Sequence, residues 1–258
     1  MAAHLPRARE VLAVIAHPDD ESFGLGAVLG GFGAQGTQVR VLCFTHGEAS
    51  TLGQTERNLG ALRGAELAAA AEVLGVEHVQ LLAYPDGGLA QVPLDELTQR
   101  VLDSLAGADV LIAFDDNGIT GHPDHRRATE AAVAAGAASG IPVLAWALPQ
   151  PVADRLNAEF GAAFGGRDHD GLDVVIEVDR TQQRAAINCH ASQSRDNPVL
   201  WRRLDVQGNR EYLRWLEAVP GGQLIRGDDT HRAHARTRNL PRPVTASRQL
   251  RAARTQPE

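Results

Sequence analysis

The feature that most constrains this chain is a series of short, continuously apolar runs set apart by helix-length intervals. VLAVIA (11–16), VRVLCFT (39–45), VQLLA (79–83), DVLIAF (109–114), VLAWAL (143–148) and DVVIEV (173–178) are too short for buried helices and do not alternate polar with apolar. Runs of that kind fit strands buried on both faces, which requires helices on both sides of the sheet. Helical patterns at about 23–35, 54–74, 93–106, 123–138 and 181–191 supply that cover. The rhythm predicts an α/β fold: a Rossmann-like sandwich with a mostly parallel sheet flanked by helices, and ligand chemistry at the carboxyl ends of its strands. Gly36 and Gly75 close the first two helices, and YPDGG (84–88) is a turn by composition. Residues 1–220 read as one domain. From 221 to 258 the apolar period fades and eight Arg stand against Asp228, Asp229 and Glu258, so this stretch reads as a basic extension.

Charge narrows the function classes. A net charge of −7 and an aromatic content of 4% argue against nucleic-acid binding, which needs a basic face and stacking platforms. All 25 basic residues are Arg, so no Lys nucleophile or Schiff base is available. Cys43 and Cys189 read as small buried thiols in a reducing compartment. No run is long enough to span a membrane, and the expected location is the cytoplasm. The pattern leaves oligomeric state open, a homo-oligomer included.

The ends of the first four apolar runs carry the chemistry. His17, Asp19, Asp20 and Glu21 follow the first; His46 and Glu48 the second; Asp86 the third; Asp115, Asp116, His122, Asp124 and His125 the fourth. Isolated buried charges there would cost several kcal/mol each unless paired or metal-bound. Two related tetrads stand out, H-P-D-D at 17–20 and H-P-D-H at 122–125. If Pro sits just inside a helix start in each, donors at i and i+3 share one side of the first turn. His17, Asp20 and His125 then form a two-His, one-carboxylate set, Asp19 is free to act on water, and His122 stays outside the ligands. Three protein ligands with an open position are the mark of a catalytic Zn²⁺ site, one ion per chain, although other divalent metals suit the same donors. The set also describes the facial triad of non-haem Fe(II) oxygenases, and a non-catalytic sugar-binding module is the other alternative. A carboxylate among Asp115, Asp116 and Asp124 is expected to hold the far nitrogen of His122 and favour its imidazolium. The glycines of FGLGAVLGG do not have nucleotide-loop spacing and are expected to let the first helix pack closely on the sheet.

AHPDDE after the first strand, GHPDHR after the fourth, RGAELAAAAEVLGV (63–76) and CHASQ (189–193) together resemble the LmbE/PIG-L family of zinc-dependent de-N-acetylases over roughly residues 10 to 195. The resemblance implies hydrolysis of an N-acetylated amino sugar of the N-acetylglucosaminyl type. It implies Zn²⁺ on His17, Asp20 and His125, with Asp19 as general base and His122 stabilising the oxyanion or protonating the amine. It further implies substrate contacts at Glu48, Arg63 and Asp86, with Asp124 supporting the site. Arg63 has a bland alternative as the salt-bridge partner of Glu66 or Glu56. Two departures stand against the thiol-synthesis branches: Thr120 replaces the Tyr of the mycothiol type, and Glu21 follows Asp20 directly where the bacillithiol type reads AHPDDVE.

Overall fold

The structure, a computed structural model, describes residues 4–53, 57–218 and 224–225. In chain order its elements are β1 (Glu10–Ile15), α1 (Asp20–Phe23), α2 (Gly26–Ala34), β2 (Gln38–Thr45), α3 (Leu59–Leu74), β3 (His78–Tyr84), α4 (Leu94–Asp103), β4 (Val110–Phe114), a kinked α5 (Gly118–Gly121), α6 (Pro123–Ser139), β5 (Val143–Trp146), β6 (Leu148–Pro149), α7 (Gln150–Phe160), β7 (Gly166–Arg167), β8 (Val174–Glu177), α8 (Thr181–Cys189), α9 (Ala191–Ser194), α10 (Pro198–Gln207), β9 (Arg210–Ala218) and β10 (Leu224–Ile225). Strands β3, β2, β1, β4 and β5 lie side by side and parallel. β9 adds to β5 antiparallel, and β8 and β10 pair with β9. This is the mostly parallel, helix-flanked sandwich that the apolar runs predict.

Successive residues of each central strand face opposite layers. Val11, Ala13 and Ile15 join Val28, Leu29 and Phe32 of α2, whereas Leu12 and Val14 join Leu97 and Val101 of α4 and Ala131 and Ala135 of α6. Both faces are therefore dry, which is why these runs carry no polar alternation. β1 runs between β2 on one side and β4 on the other, so the chain reverses its direction of sheet growth there. Such a switch point leaves a crevice beyond the carboxyl ends of the two strands, and both tetrads open into it.

Several elements differ from expectation. The predicted helix at 23–35 is α2, Gly26–Ala34, preceded by the short α1, and the one at 54–74 begins at Leu59, where Asn58 accepts Ala61 N–H at 3.2 Å. β9, α7 and α10 have no counterpart in the sequence reading. β9 hides because Glu211 and Arg214 interrupt its apolar residues while being buried themselves: Glu211 binds Arg180 and accepts Trp146 Nε1–H at 2.6 Å, and Arg214 binds Asp115 at 2.9 Å. Gly26 and Gly30 do admit close packing, but against Gln183 and Gln182 of α8 and not the sheet. Cys43 is buried as expected; Cys189 is partly exposed, and both are free. Apart from Leu224 and Ile225, the extension at 221–258 lies outside the described residues. Among the described residues no helix is long and apolar enough to cross a membrane.

Candidate active site

β1 ends at Ile15 and the chain turns at once into the first tetrad. The pattern placed Pro18 inside a helical turn; instead α1 starts at Asp20, and Asp19 precedes it with φ 120° and ψ −25°, a conformation that L residues rarely hold. Neighbouring bonds hold it there. Asp19 N–H donates to Glu21 Oε2 at 2.9 Å, and Arg63 donates to Pro18 O and Asp19 Oδ2 at 2.5 and 2.7 Å. Glu21 is itself clamped in the interior, at 2.6 Å from both Ser22 Oγ and His190 Nε2. Arg63 also donates to Gly47 O at 2.6 Å. Gly47 has φ +63°, and a Cβ there would collide with the guanidinium, so only glycine admits this contact.

The second tetrad follows its expected geometry. His122 caps α6, Pro123 is its first residue, and His125 lies one turn on. His125 Nδ1 stands 3.2 Å from Gly118 O; donating there, it leaves Nε2 as a lone-pair donor. Across the crevice His125 Nε2 comes within 3.2 Å of both His17 Nδ1 and Asp20 Oδ1, and His17 Nδ1 lies 3.7 Å from Asp20 Oδ2. These spacings are near the edge of about 3.3 Å of a tetrahedron whose N and O donors sit at about 2.0–2.1 Å from an ion. Asp20 Oδ2 accepts the Ala16 and His17 N–H groups at 3.1 and 3.0 Å, which orients the carboxylate and leaves Oδ1 facing His125. His17 Nε2 is buried without an aligned hydrogen bond, 3.1 Å from Asp86 Oδ1 and 3.4 Å from Asp124 Oδ2. A metal on Nδ1 would put the ring proton on Nε2, between these two carboxylates. The donor set therefore fits a divalent ion. A second group, His17, His122 and Asp124, is also compact. Its Asp124 oxygens are already committed, accepting Gly87 and Leu89 N–H at 2.7 and 3.1 Å.

Burial pushes the Asp19 carboxyl up to about 6, against the opposing pull of Arg63. Asp20 is held well below the usual carboxylate range because His125 and His17 outweigh its burial. The expected imidazolium at His122 is not what the structure builds. Among the described residues no carboxylate meets its far nitrogen; His122 Nδ1 accepts Asp124 N–H at 3.2 Å, so the neutral ring carries its proton on Nε2. Burial, then His125 and His17, lower its pKa. The three carboxylates named for it serve others: Asp115 and Asp116 bind Arg167 and Arg214, and Asp124 faces His17.

Of the remaining predicted residues, Asp86 and Arg63 line the cavity above the cluster together with Asp19 and His122. Arg63 pairs with Asp19, not Glu66, which instead accepts from Ser192 N and Oγ at 2.8 and 2.6 Å. Glu56 lies outside the described residues. Glu48 is exposed and braces the Asp86 backbone, accepting its N–H at 3.0 Å. Sequence reasoning assigned no role to Glu21 or His190. CHASQ contained the signal, a His in an apolar setting whose partner lies 169 residues away.

A sequence model described as PIG-L: GlcNAc-PI de-N-acetylase matches residues 12–136. A 1D-myo-inositol 2-acetamido-2-deoxy-alpha-D-glucopyranoside deacetylase of Corynebacterium glutamicum is 31% identical over 242 residues, 77% of this chain and 82% of that protein. Its namesake in Salinispora arenicola is 29% identical over 243 residues, covering 75% and 79%. Among solved structures, the N,N'-diacetylchitobiose deacetylase of Pyrococcus horikoshii superposes with a TM-score of 0.59 at 22% identity, over 87% of this chain and 86% of that one, a likeness of fold.

Proposed function

The chain belongs to the LmbE/PIG-L family of deacetylases, and on that premise we propose that it hydrolyses the amide of an N-acetylated amino sugar with Zn²⁺ held by His17, Asp20 and His125. The observation that carries this reading is the convergence of three donors from two strand ends, with Asp19 and His122 lining the same cavity. A divalent ion held by His17, Asp20 and His125 would supply Lewis acidity and make a water easier to deprotonate. Asp19 is held by Arg63 on one oxygen and takes the proton of the attacking water. His122, neutral and protonated on Nε2, donates to the oxyanion as the carbonyl carbon becomes tetrahedral. Asp19 and His122 are also the two groups able to return a proton to the departing amine. Asp86 and Asp124 orient His17 from its far nitrogen, and Asp86 also faces the cavity where sugar hydroxyls would lie. The names of the relatives share a 2-acetamido-2-deoxy sugar, which supports that unit as the substrate core and leaves the aglycone open. Free Cys43 and Cys189 agree with a cytoplasmic setting for residues 1–220 as one catalytic domain. An oxygenase would have no use for a base held in strain beside its ligands.

Two substitutions test the division of roles. Asp19→Ala should keep its metal and lose about 10²- to 10⁴-fold in kcat, the usual contribution of a general base. Asp20→Ala should lose the metal itself. Elemental analysis alongside single-substrate kinetics reads both, and equal metal content with equal residual activity in the two variants would contradict the assignment.

A further inference from the structure

The cavity over the cluster has a volume of about 520 Å³, and its two sides differ in kind. On the side of His17, Asp86 stands 3.1 Å from Nε2, and Ser50 Oγ donates to Gln193 at 2.7 Å, so this side is polar. The side of His125 is mostly apolar, its polar member being Arg203, whose guanidinium lies 5.2 Å over the Trp146 ring. Phe114 meets the His125 ring edge-on at 4.9 Å and Trp146 at 5.3 Å, and Ile119, Phe164, Phe23 and Leu200 continue the lining. Ile119, Phe114 and Trp146 share one hydrophobic cluster, with Phe164 packed against it. Gly24 allows this wall to close up, since a Cβ there would fall 2.7 Å from Phe114 Cζ.

An amide carbon attacked at the cluster carries two substituents that must diverge. The nitrogen brings the sugar, whose hydroxyls belong against Asp86, Ser50 and Gln193. The other substituent is then directed along Phe114 and Trp146. An acetyl methyl would cover little of that wall, and each further methylene buried on it is worth about 0.8 kcal/mol, or roughly fourfold in affinity. Resting on the reading of the site as an amino-sugar amide hydrolase, we propose that its acyl side takes straight alkanoyl chains longer than acetyl, and that N-alkanoyl amino sugars of medium chain length are its preferred substrates. The balance of the reaction is that of acetyl hydrolysis: water adds its oxygen to the acyl carbon, the C–N bond breaks, and the products are an alkanoate and the free amine.

The experiment compares N-acetyl-, N-butanoyl- and N-hexanoylglucosamine and octyl N-acetylglucosaminide on the zinc-loaded enzyme by amine release. The expected result is a rise of at least about tenfold in kcat/KM from acetyl to hexanoyl, a small part of the roughly 250-fold that four fully buried methylenes would give. Phe164→Ser, at a half-buried loop position, should lower the hexanoyl-to-acetyl ratio. Release of acetyl with a loss of tenfold or more on lengthening the chain would overturn the acyl assignment and leave the deacetylase reading intact. A gain confined to the octyl glycoside would overturn it by giving the wall to the aglycone. Hydrolysis of none of the four would defeat both readings.

Discussion

At the residue scale, Asp19 concentrates the chemistry. Its backbone sits at φ 120°, and conformations of that kind cost about 1–3 kcal/mol, so its neighbours must hold it. Arg63 does so through three acceptors, Gly47 O, Pro18 O and Asp19 Oδ2. The family resemblance implied that Arg63 binds substrate, with an effect on affinity; its bonds to Pro18 O and Asp19 Oδ2 favour a role in positioning the proposed base. A Lys has no planar fork and cannot serve the three acceptors in this geometry. Arg63→Lys should therefore lower kcat by about 10- to 10²-fold, within the range of a misplaced general base, with a smaller change in KM. Steady-state kinetics separate the two parameters, and a change confined to KM would restore the substrate-contact role. The side chains of the candidate metal cluster were legible in the two tetrads. The partner of each ring nitrogen was not, because it depends on where Asp86 and Asp124 arrive from other strand ends.

At the element scale, the turn from β1 into α2 shows how far glycine spacing can be read. Gly24 and Gly33 look equivalent in FGLGAVLGGFGA, yet they meet different surroundings. A Cβ at Gly24 would press on the Phe114 ring and come within 3.4 Å of Trp146, whereas at Gly33 nothing lies within 4 Å. Overpacking a buried contact costs about 1–3 kcal/mol, and an open helical Gly→Ala gains about 0.5–1 kcal/mol. Gly24→Ala should accordingly destabilise the protein and Gly33→Ala stabilise it. Chemical denaturation of the two variants checks the opposite signs. The β and α elements of the first half were legible because both sheet faces are covered and the apolar runs are continuous. β9 escaped because burial of Glu211 and Arg214 depends on partners far along the chain.

At the scale of the whole molecule, ion pairs tie the second half of the chain to the first. Arg214 and Arg167 reach Asp115 at the end of β4, and His190, after α8, reaches Glu21 at the start of α1. Burial lowers the His190 pKa, but Glu21 outweighs it and the net shift is upward. A histidine raised in the folded state adds stability that is fully present below its unfolded value of about 6.5 and is lost as pH rises through the folded pKa. His190→Asn should cost roughly 3–5 kcal/mol near pH 6, as removing one member of a buried pair does. The gap between wild type and variant should narrow as pH rises above about 6.5. Denaturant titrations at several pH values measure that gap, and a constant difference would show that the pair carries no proton linkage.

What the sequence determined by itself was local. Apolar runs specify strands because burial on both faces leaves no room for polar alternation, and the two tetrads carry the members of the candidate metal cluster, so strand ends and that cluster could be read from short windows. What only the tertiary structure decided was pairing across distance. Asp19 meets Arg63 across 44 residues, Asp115 meets Arg214 across 99 and Glu21 meets His190 across 169. The choice among carboxylates for each histidine or arginine depends on how helices of different lengths bring their side chains back over one sheet edge. No periodicity in the chain reports that geometry, because it arises only when the crevice between β1 and β4 has closed around the site.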